Sequence, residues 1–596
     1  MADNLISRIY ENFRGVDFRG EEINLSRSPD SLNVWKDYKE TESIRTRPKM
    51  KLEMVLEDGS ALFEEGNIKG IFFFDYTDSL GNKETKCFVQ CGNKLYECRN
   101  DIVTGWNKTE LFSGLGGKCK SFICNNKMYF LDGSYYLVYD PTTEKISKVK
   151  GYVPTTSIGR KPSGGGTLHE DVNLLTNRRI NTFLADGESK EFYVDAPEIS
   201  EYDIFDVEET IIIEELKKRA KPIVKVNGEV VTNYTVNFNK GCIVFDTAPP
   251  KPLTDGQDNV SVEFTKNPTE ERPIIKMCTM VEVFDNRVFF SGNKNYPNTV
   301  LHCSLNDPTY VSDLDYYNEG LDGTKVRSMV AGNNALWVFK EPSSANTSVF
   351  YHTPTIDSDY GKIYPSEHSS IALGCVGGAI NFNDDIVFFS QNGMEGVSGD
   401  VTSEQVVSHR SSLIDSKLTS ETTYKDMILV EWEGYLLVFI ENRAYLADSR
   451  ALFTNNNHYE YEWFYWEFDK LVTSATVYDG ILYLGTNDGV YTLTDNEGAV
   501  ESYWTTPKDK FKYPQYQKTT NKRGCVVEAT GDISISVKTD KTDFELIGNY
   551  TNILDYFVSR IKRKKFKDIQ LKFHSNTRFS LETATLECFI GGYIKR

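Results

Sequence analysis

The side chains in this sequence that could do chemistry are plentiful and scattered. Histidines stand at His169, His302, His352, His368, His409, His458 and His574, and of these His302 alone has a cysteine, Cys303, beside it. Adjacent residues on a strand point to opposite faces, so this pair reads as ordinary strand and not as two ligands of one metal. Carboxylates crowd "DSDYG" (357–361) and "DLDYYNEGLDG" (313–323), but the second misses the alternating acidic ligands and late Glu of a calcium loop. Glycoside hydrolysis needs two carboxyls held roughly 5–9 Å apart, a relation that spacing along a chain does not supply. No HExxH, GxSxG or Walker loop occurs, and no GxGxxG precedes a helix. The glycines 164–166 lie in "RKPSGGGT" (160–167) with no helix after them, which suits a flexible junction better than a phosphate cradle. The expectation is therefore no catalytic residue, no cofactor site and no metal centre.

One charged stretch remains. "SRIKRKKFK" (559–567) places Arg560, Lys562, Arg563, Lys564, Lys565 and Lys567 around Phe566. Basic residues with an interleaved aromatic could contact nucleic acid. The alternative is an edge strand protected by charge, or a docking face for an acidic neighbour, and the docking reading is adopted for these six residues. "GTNDGVYTL" (485–493) shares its Asn-Asp-Gly with the Asp-box hairpin of sialidases. It lacks the Trp, occurs once, and serves equally as a plain turn.

The elements that must position these residues are strands. A short apolar run, a tight polar turn and a second run recur in "KCFVQCGNKLYEC" (86–98), "CKSFICNNKMYFLDGSYYLVYD" (119–140) and "MVEVFDNRVFFSG" (280–292). The pattern returns in "VRSMVAGNNALWVFKE" (326–341), "GAINFNDDIVFFSQNGMEGVSG" (378–399), "DMILVEWEGYLLVFIENRAYLAD" (426–448) and "SATVYDGILYLGTNDGVYTLTD" (474–495). The Asn, Asp and Gly residues at the centres tolerate the positive φ of two-residue hairpin loops. Seven such units predict an all-β chain, a β-propeller of about six to eight blades, with a pair of β-sandwiches as the structural alternative. The repeat breaks between the second and third units, where 168–270 reads as an inserted β-sandwich containing "KPIVKVNGEVVTNYTVNFNKGCIVFDTAPP" (221–250). "VEETIIIEELKKRAK" (207–221) is left open between short helix and strand. The propeller is then assigned to 1–167, with its lead-in, and to 271–504. From 505 to 596 period-two alternation predicts a basic C-terminal β-sandwich.

Composition bounds the partners. A 39% hydrophobic and 26% charged chain is globular rather than disordered, and no apolar run reaches the roughly 18–20 residues of a membrane span. The N-terminus has no basic segment followed by an apolar one, so no secretory leader is expected. Eleven cysteines, an odd number without a CxxC pair, predict buried free thiols and assembly in a reducing cytoplasm. Residues 505–596 hold 18 Lys and Arg against 10 Asp and Glu, while 1–504 hold 49 against 76. A body of −27 does not wrap DNA through phosphate contacts, although it could line a passage along which DNA slides without sticking.

The N-terminal stretch supplies a further pointer. "NFRGVDFRGEEINLSRSPDSLNVWKDYKETESIRTRPKM" (12–50) contains Pro29, Asp30, Ser31, Leu32 and Asn33, followed by Arg45, Thr46, Arg47 and Pro48. This turn-strand and its Arg-x-Arg-Pro strand resemble the start of bacteriophage virion proteins of the tail-nozzle and packaged-DNA stabilisation type. "FDNRVFFSGNKNYPNTVLHCSLNDPTY" (284–310) and "LWVFKEPS" (336–343) resemble the same class, and 168–270 resembles small β-sandwich modules of phage tail proteins. The resemblance implies a propeller built into a ring, commonly six-fold, in the virion neck or tail below the portal. Its partners would be further copies, portal, adaptor or other tail proteins, and double-stranded DNA passing transiently through an acidic lumen. The competing expectation is a propeller that binds or degrades cell-surface glycans, which would need aromatics and carboxylates converging at one mouth.

Overall fold

The computed structural model describes residues 5–38, 43–101, 104–196, 222–265, 274–343, 347–358, 361–369, 371–398, 406–455, 458–495, 498, and 500–593. These residues are overwhelmingly strand, and the segment 207–221 lies outside them.

Each of the seven repeating units falls in its own four-stranded antiparallel sheet. The first strands are Ile68–Thr77, Lys120–Cys124, Met280–Phe284, Val326–Gly332, Ala379–Phe382, Ile428–Trp432 and Ser474–Tyr478. The turns behave as their sequences require. Asn125 and Asn126, Asp285 and Asn286, Asn333 and Asn334, and Asn383 and Asp384 all have positive φ, the conformation that lets a two-residue loop follow strand twist. The first strand of every sheet packs against that of the next, and Ser474–Tyr478 of the seventh packs against Ile68–Thr77 of the first. Phe73 stacks on Tyr478 at 4.3 Å across that last junction, and the hydroxyls of Thr473 and Ser474 donate to the Ile68 carbonyl at 2.7 and 2.9 Å. The seventh sheet has three strands from its own segment and takes its fourth, Lys49–Leu52, from the N-terminal region.

The insert carries a six-stranded and a three-stranded sheet around one core that includes Phe183, Phe192, Val224, Phe245 and Phe264. Its larger sheet begins upstream of 168, because Thr155–Arg160 pairs in parallel with Arg178–Phe183. Leu174 and Leu175 leave the insert altogether and join the core between the second and third sheets.

The C-terminal region, expected as a β-sandwich appended to the propeller, draws strands from the other end of the chain. It is one eleven-stranded sheet centred on Tyr516–Thr539, and it incorporates Leu5–Tyr10, Ser31–Leu32, Val34–Lys36 and Ile44–Thr46. Gly524 and Gly531 in the central strand have φ of 80° and 88°. A Cβ at either would lie within 2.2 Å of a carbonyl oxygen, so glycine is required where neighbouring backbone crosses close. One face of the sheet buries Val527, Ile535, Phe573 and Leu586 in a core shared with Phe464, Trp466 and Leu484 of the sixth and seventh sheets.

The Pro-Asp-Ser-Leu-Asn and Arg-Thr-Arg-Pro segments form that junction. Asn33, at φ 54°, accepts from Arg47 Nε and from the Glu467 amide, both at 2.8 Å, and donates through Nδ2 to the Glu501 carbonyl. Arg47 is buried, donates to the Pro48 and Glu467 carbonyls, and lies 4.3 Å from the Phe468 ring. Burial pulls its pKa down to about 10, against the opposing pull of the Asp469 charge. Arg27 forms a buried bidentate pair with Glu462 at 2.7 and 2.9 Å.

Candidate functional site

The six basic residues lie along one side of the central C-terminal strand. Tyr556–Ser559 and Lys565–Phe566 pair with that strand, and 560–564 bridge them. Ile561 and Phe566 point into the core while Arg560, Lys562, Arg563, Lys565 and Lys567 are exposed. Alternation of apolar anchor and cation is what holds the stretch flat and its charges outward. The backbone is tied down as well: Thr520 donates to the Lys562 carbonyl, the Lys564 amide donates to Thr520 Oγ1 at 2.9 Å, and the Lys567 amide donates to Asp540 at 2.8 Å.

Lys564 departs from the expected set. Its ammonium is half-buried and paired with Glu545 at 2.6 Å, so its charge is already engaged within the chain. Other C-terminal cations are engaged too. Lys508 and Lys538 both reach Glu21, and Lys510 reaches Glu22, clamping the lead-in to the sheet.

Sequence reasoning missed the apolar half of this surface. Val526 and Val558 are cross-strand partners with both side chains open to solvent, and Leu546, Leu554 and Tyr556 are exposed close by in the chain. In the same sheet Ile9 stands opposite Thr585, which itself stands opposite Val526, so the exposed row continues across four strands. The signal was present in "YFVS" (556–559), where Tyr556 and Val558 occupy the outward positions and Phe557 the inward one. This edge therefore sets an exposed apolar row beside five exposed cations.

The remaining chemistry-bearing clusters are structural in geometry. Buried His352 bonds Glu319 at 2.9 Å and faces the Tyr364 carbonyl through its other nitrogen. His409 sits between Glu395 at 3.0 Å and Asp415 at 2.6 Å; burial opposes its charge, but the two carboxylates outweigh that and raise its pKa to about 10. His302 and Cys303 are engaged separately, with His302 Nδ1 3.0 Å from the Cys303 carbonyl. Burial lowers the His302 pKa to about 4, and the Cys303 thiol contacts the Val288 amide and Ser304 carbonyl. Among the described residues no group of three His, Cys, Asp or Glu side chains is placed to hold a metal, and no helix is long and apolar enough to cross a membrane.

One cleft combines aromatics with carboxylates. It encloses ≈ 440 Å³ on the first sheet and is lined by Phe73, Tyr76, Trp106, Glu84, Glu97 and Glu144 among others. Lys86 Nζ contacts Glu97 at 2.9 Å and Glu144 at 2.8 Å, and Arg99 contacts the same two. Hydrogen bonding to Lys86 lowers the Glu144 pKa, the reverse of what a general acid requires.

No protein-family model and no curated protein matches the chain. Among solved structures, BamB from Moraxella catarrhalis aligns at TM-score 0.33 and 10% identity over 76% of this chain and 99% of its own. An exo-beta-1,3-galactanase from Phanerochaete chrysosporium, solved with beta-1,3-galactotriose, aligns at TM-score 0.22 and 8% identity over 88% and 99%. Hsv2 from Kluyvelomyces marxianus aligns at TM-score 0.25 and 7% identity over 68% and 98%.

Proposed function

We propose that this chain is a structural virion protein of the tail-nozzle or packaged-DNA stabilisation type. Its seven sheets close into a seven-bladed propeller, and copies of the chain, six in the arrangement the resemblance implies, form a ring in the neck or tail after assembly in the host cytoplasm. That ring conducts and retains double-stranded DNA and docks on portal, adaptor or other tail proteins.

The observation that carries the reading is the basic edge at 560–567, with an exposed apolar row beside it, on a chain whose residues 1–504 carry −27. A cationic surface on one part of a molecule and an anionic one elsewhere favour a heterologous contact between copies, and such contacts generate rings when the rotation closes. An acidic body facing the lumen would repel the DNA backbone and leave no sticky site along the passage. Side-chain bridges between non-adjacent sheets also cross one end of the seven-sheet ring: Lys118 reaches the Thr473 carbonyl, and Arg327 reaches the Lys425 carbonyl. A duplex would accordingly run between copies, not through a single chain.

The test replaces Arg560, Lys562, Arg563, Lys564, Lys565 and Lys567 together by serine. Sedimentation of the wild-type chain at low salt is expected to show assembly that weakens as salt rises. The variant should keep its circular dichroism spectrum, remain monomeric and fail to enter particles. Normal assembly of the variant, together with tight duplex binding by the wild type through these residues, would make the stretch a nucleic-acid site instead.

A second reading, a glycan-binding adhesin or glycan-degrading tail enzyme, is favoured by the first-sheet cleft and its Trp106, Tyr76 and Phe73. The ion-paired state of Glu97 and Glu144 suits binding better than hydrolysis. Quenching of Trp106 fluorescence by host surface oligosaccharides, abolished in Trp106→Ala, would support it.

A further inference from the structure

We propose that the end of the seven-sheet ring at which the first strands begin is a binding site for a small multivalent oxyanion of the phosphate-chain kind.

Cations from four parts of the ring converge there. Lys69 opens the first sheet, Lys118 and Lys120 open the second, Arg327 opens the fourth, and Lys425 immediately precedes the sixth. Their contacts cross from sheet to sheet. Lys118 Nζ donates to the Thr473 carbonyl ahead of the seventh sheet at 3.1 Å, spanning past the first. Arg327 Nε donates to the Gly377 carbonyl ahead of the fifth sheet at 2.9 Å, and its Nη2 donates to the Lys425 carbonyl. Lys118 also feels the charges of Lys120 and of Asp426, the neighbour of Lys425. These links bring Lys118, Lys120 and Arg327 to one end of the ring, and the starts of the first and sixth sheets put Lys69 and Lys425 at the same end.

The site is built for charge that the chain does not itself supply. None of the five is held in an ion pair by a carboxylate of the described residues. The nearest are Asp426, felt by Lys118, and Glu282, felt by Lys120 and pushed by burial up to about 7. Lys118 and Lys120 touch solvent yet are walled by protein, and this desolvation lowers both pKa values, that of Lys118 to about 8. Holding two such ammoniums side by side is unfavourable until an anion arrives between them. A cleft of ≈ 330 Å³ lies beside Ser121 and Glu282, farther along the first strands of the second and third sheets, and its remaining lining of Phe73, Phe122, Ile123, Met128, Val281 and Val283 is apolar. The far end of the ring has the opposite character, with Asp285, Asp384, Glu433 and Asp479 at the turns that follow the first strands. Five cations against two carboxylates match a di- or triphosphate chain better than a monovalent ion.

The experiment titrates the full chain with sodium tripolyphosphate at low ionic strength in a calorimeter. One ion per chain is expected, with binding weakened about tenfold or more in Lys118→Gln/Lys120→Gln. Lys425→Glu changes an exposed side chain, so it should fold as the wild type does and weaken binding comparably. The six-serine variant of 560–567 should bind tripolyphosphate as the wild type does, which separates this site from the docking edge. Absence of saturable binding, or binding that survives Lys118→Gln/Lys120→Gln and Lys425→Glu but is lost in the six-serine variant, overturns the proposal.

Discussion

Trp35→Ala tests whether the N-terminal lead-in fastens the C-terminal sheet to the seven-sheet ring. Trp35 is 4% exposed, stacks on Trp432 at 5.5 Å, and meets Trp466 edge-on at 5.6 Å and Tyr435 at 5.6 Å. Its strand pairs with Ile44–Thr46, while Trp432, Tyr435 and Trp466 belong to the sixth sheet, so the indole ties one unit to the other. Truncating a buried Trp costs about 3–5 kcal/mol, a range that includes ring-pair terms of about 0.5–1.5 kcal/mol each. The indole N–H has no hydrogen-bond partner among the described residues, and removing an unsatisfied buried donor returns about 1 kcal/mol. The expected net loss is about 2–4 kcal/mol. It should be concentrated in the junction, so guanidinium unfolding followed by circular dichroism should split into two transitions in the variant. Limited proteolysis should then release a fragment from near residue 505. A single transition displaced by less than about 1 kcal/mol would refute the tie, because a Trp with those contacts cannot be lost so cheaply if the junction depends on it.

The pH dependence has a definite sign at His409. Its pKa is raised to about 10, so the stability it contributes is fully present below the unfolded value near 6.5 and is lost as pH rises towards 10. Chemical denaturation from pH 6 to 9.5 should show that loss in the wild type and a flatter profile in His409→Gln; equal profiles would exclude it. For the thiols, all eleven are free, ten are buried and Cys124 is half-exposed. A thiol reagent without reductant should label Cys124 first in the native protein and all eleven after unfolding, and a shortfall after unfolding would reveal a bridge. For the insert, a fragment spanning 155–270 should fold while 168–270 should be markedly less stable, since only the longer one contains Thr155–Arg160. Equal melting temperatures for the two would show that this strand contributes nothing.

The seven sheets were legible because their information is local. Each hairpin writes its own turn in Asn, Asp or Gly and its own buried strand in a run such as "ALWVFK" or "YLLVFI", where every residue is buried. The basic edge was legible for the same reason, six cations within eight residues. What stayed hidden depends on pairing between residues hundreds of positions apart. Nothing near Leu5–Tyr10 says that it pairs with Phe579–Tyr593, and a period-two pattern at 516–593 does not reveal whether its partner is a second sheet or the chain's own beginning. The ring-end cations were hidden more deeply. Lys69, Lys118, Lys120, Arg327 and Lys425 are spread over more than 350 residues and share one end only because seven first strands begin there.

The first 52 residues thus complete two objects at once. Lys49–Leu52 is the fourth strand of the seventh sheet, and Leu5–Tyr10, Ser31–Leu32, Val34–Lys36 and Ile44–Thr46 are strands of the C-terminal sheet. Both pairings span more than 400 residues, the kind of contact whose loop-closure cost delays it until most of the intervening chain is ordered. The six inner-ring sheets from Ile68 to Glu467 need no partner from the ends and can form first. The seventh sheet and the C-terminal sheet must wait for the same N-terminal segment, and the buried Arg27–Glu462 pair and the Arg47–Glu467 bond form only when it arrives. The exposed edge at 560–567 belongs to the sheet completed in that step. Under the docking role proposed for this edge, the surface is finished only once the rest of the chain has folded.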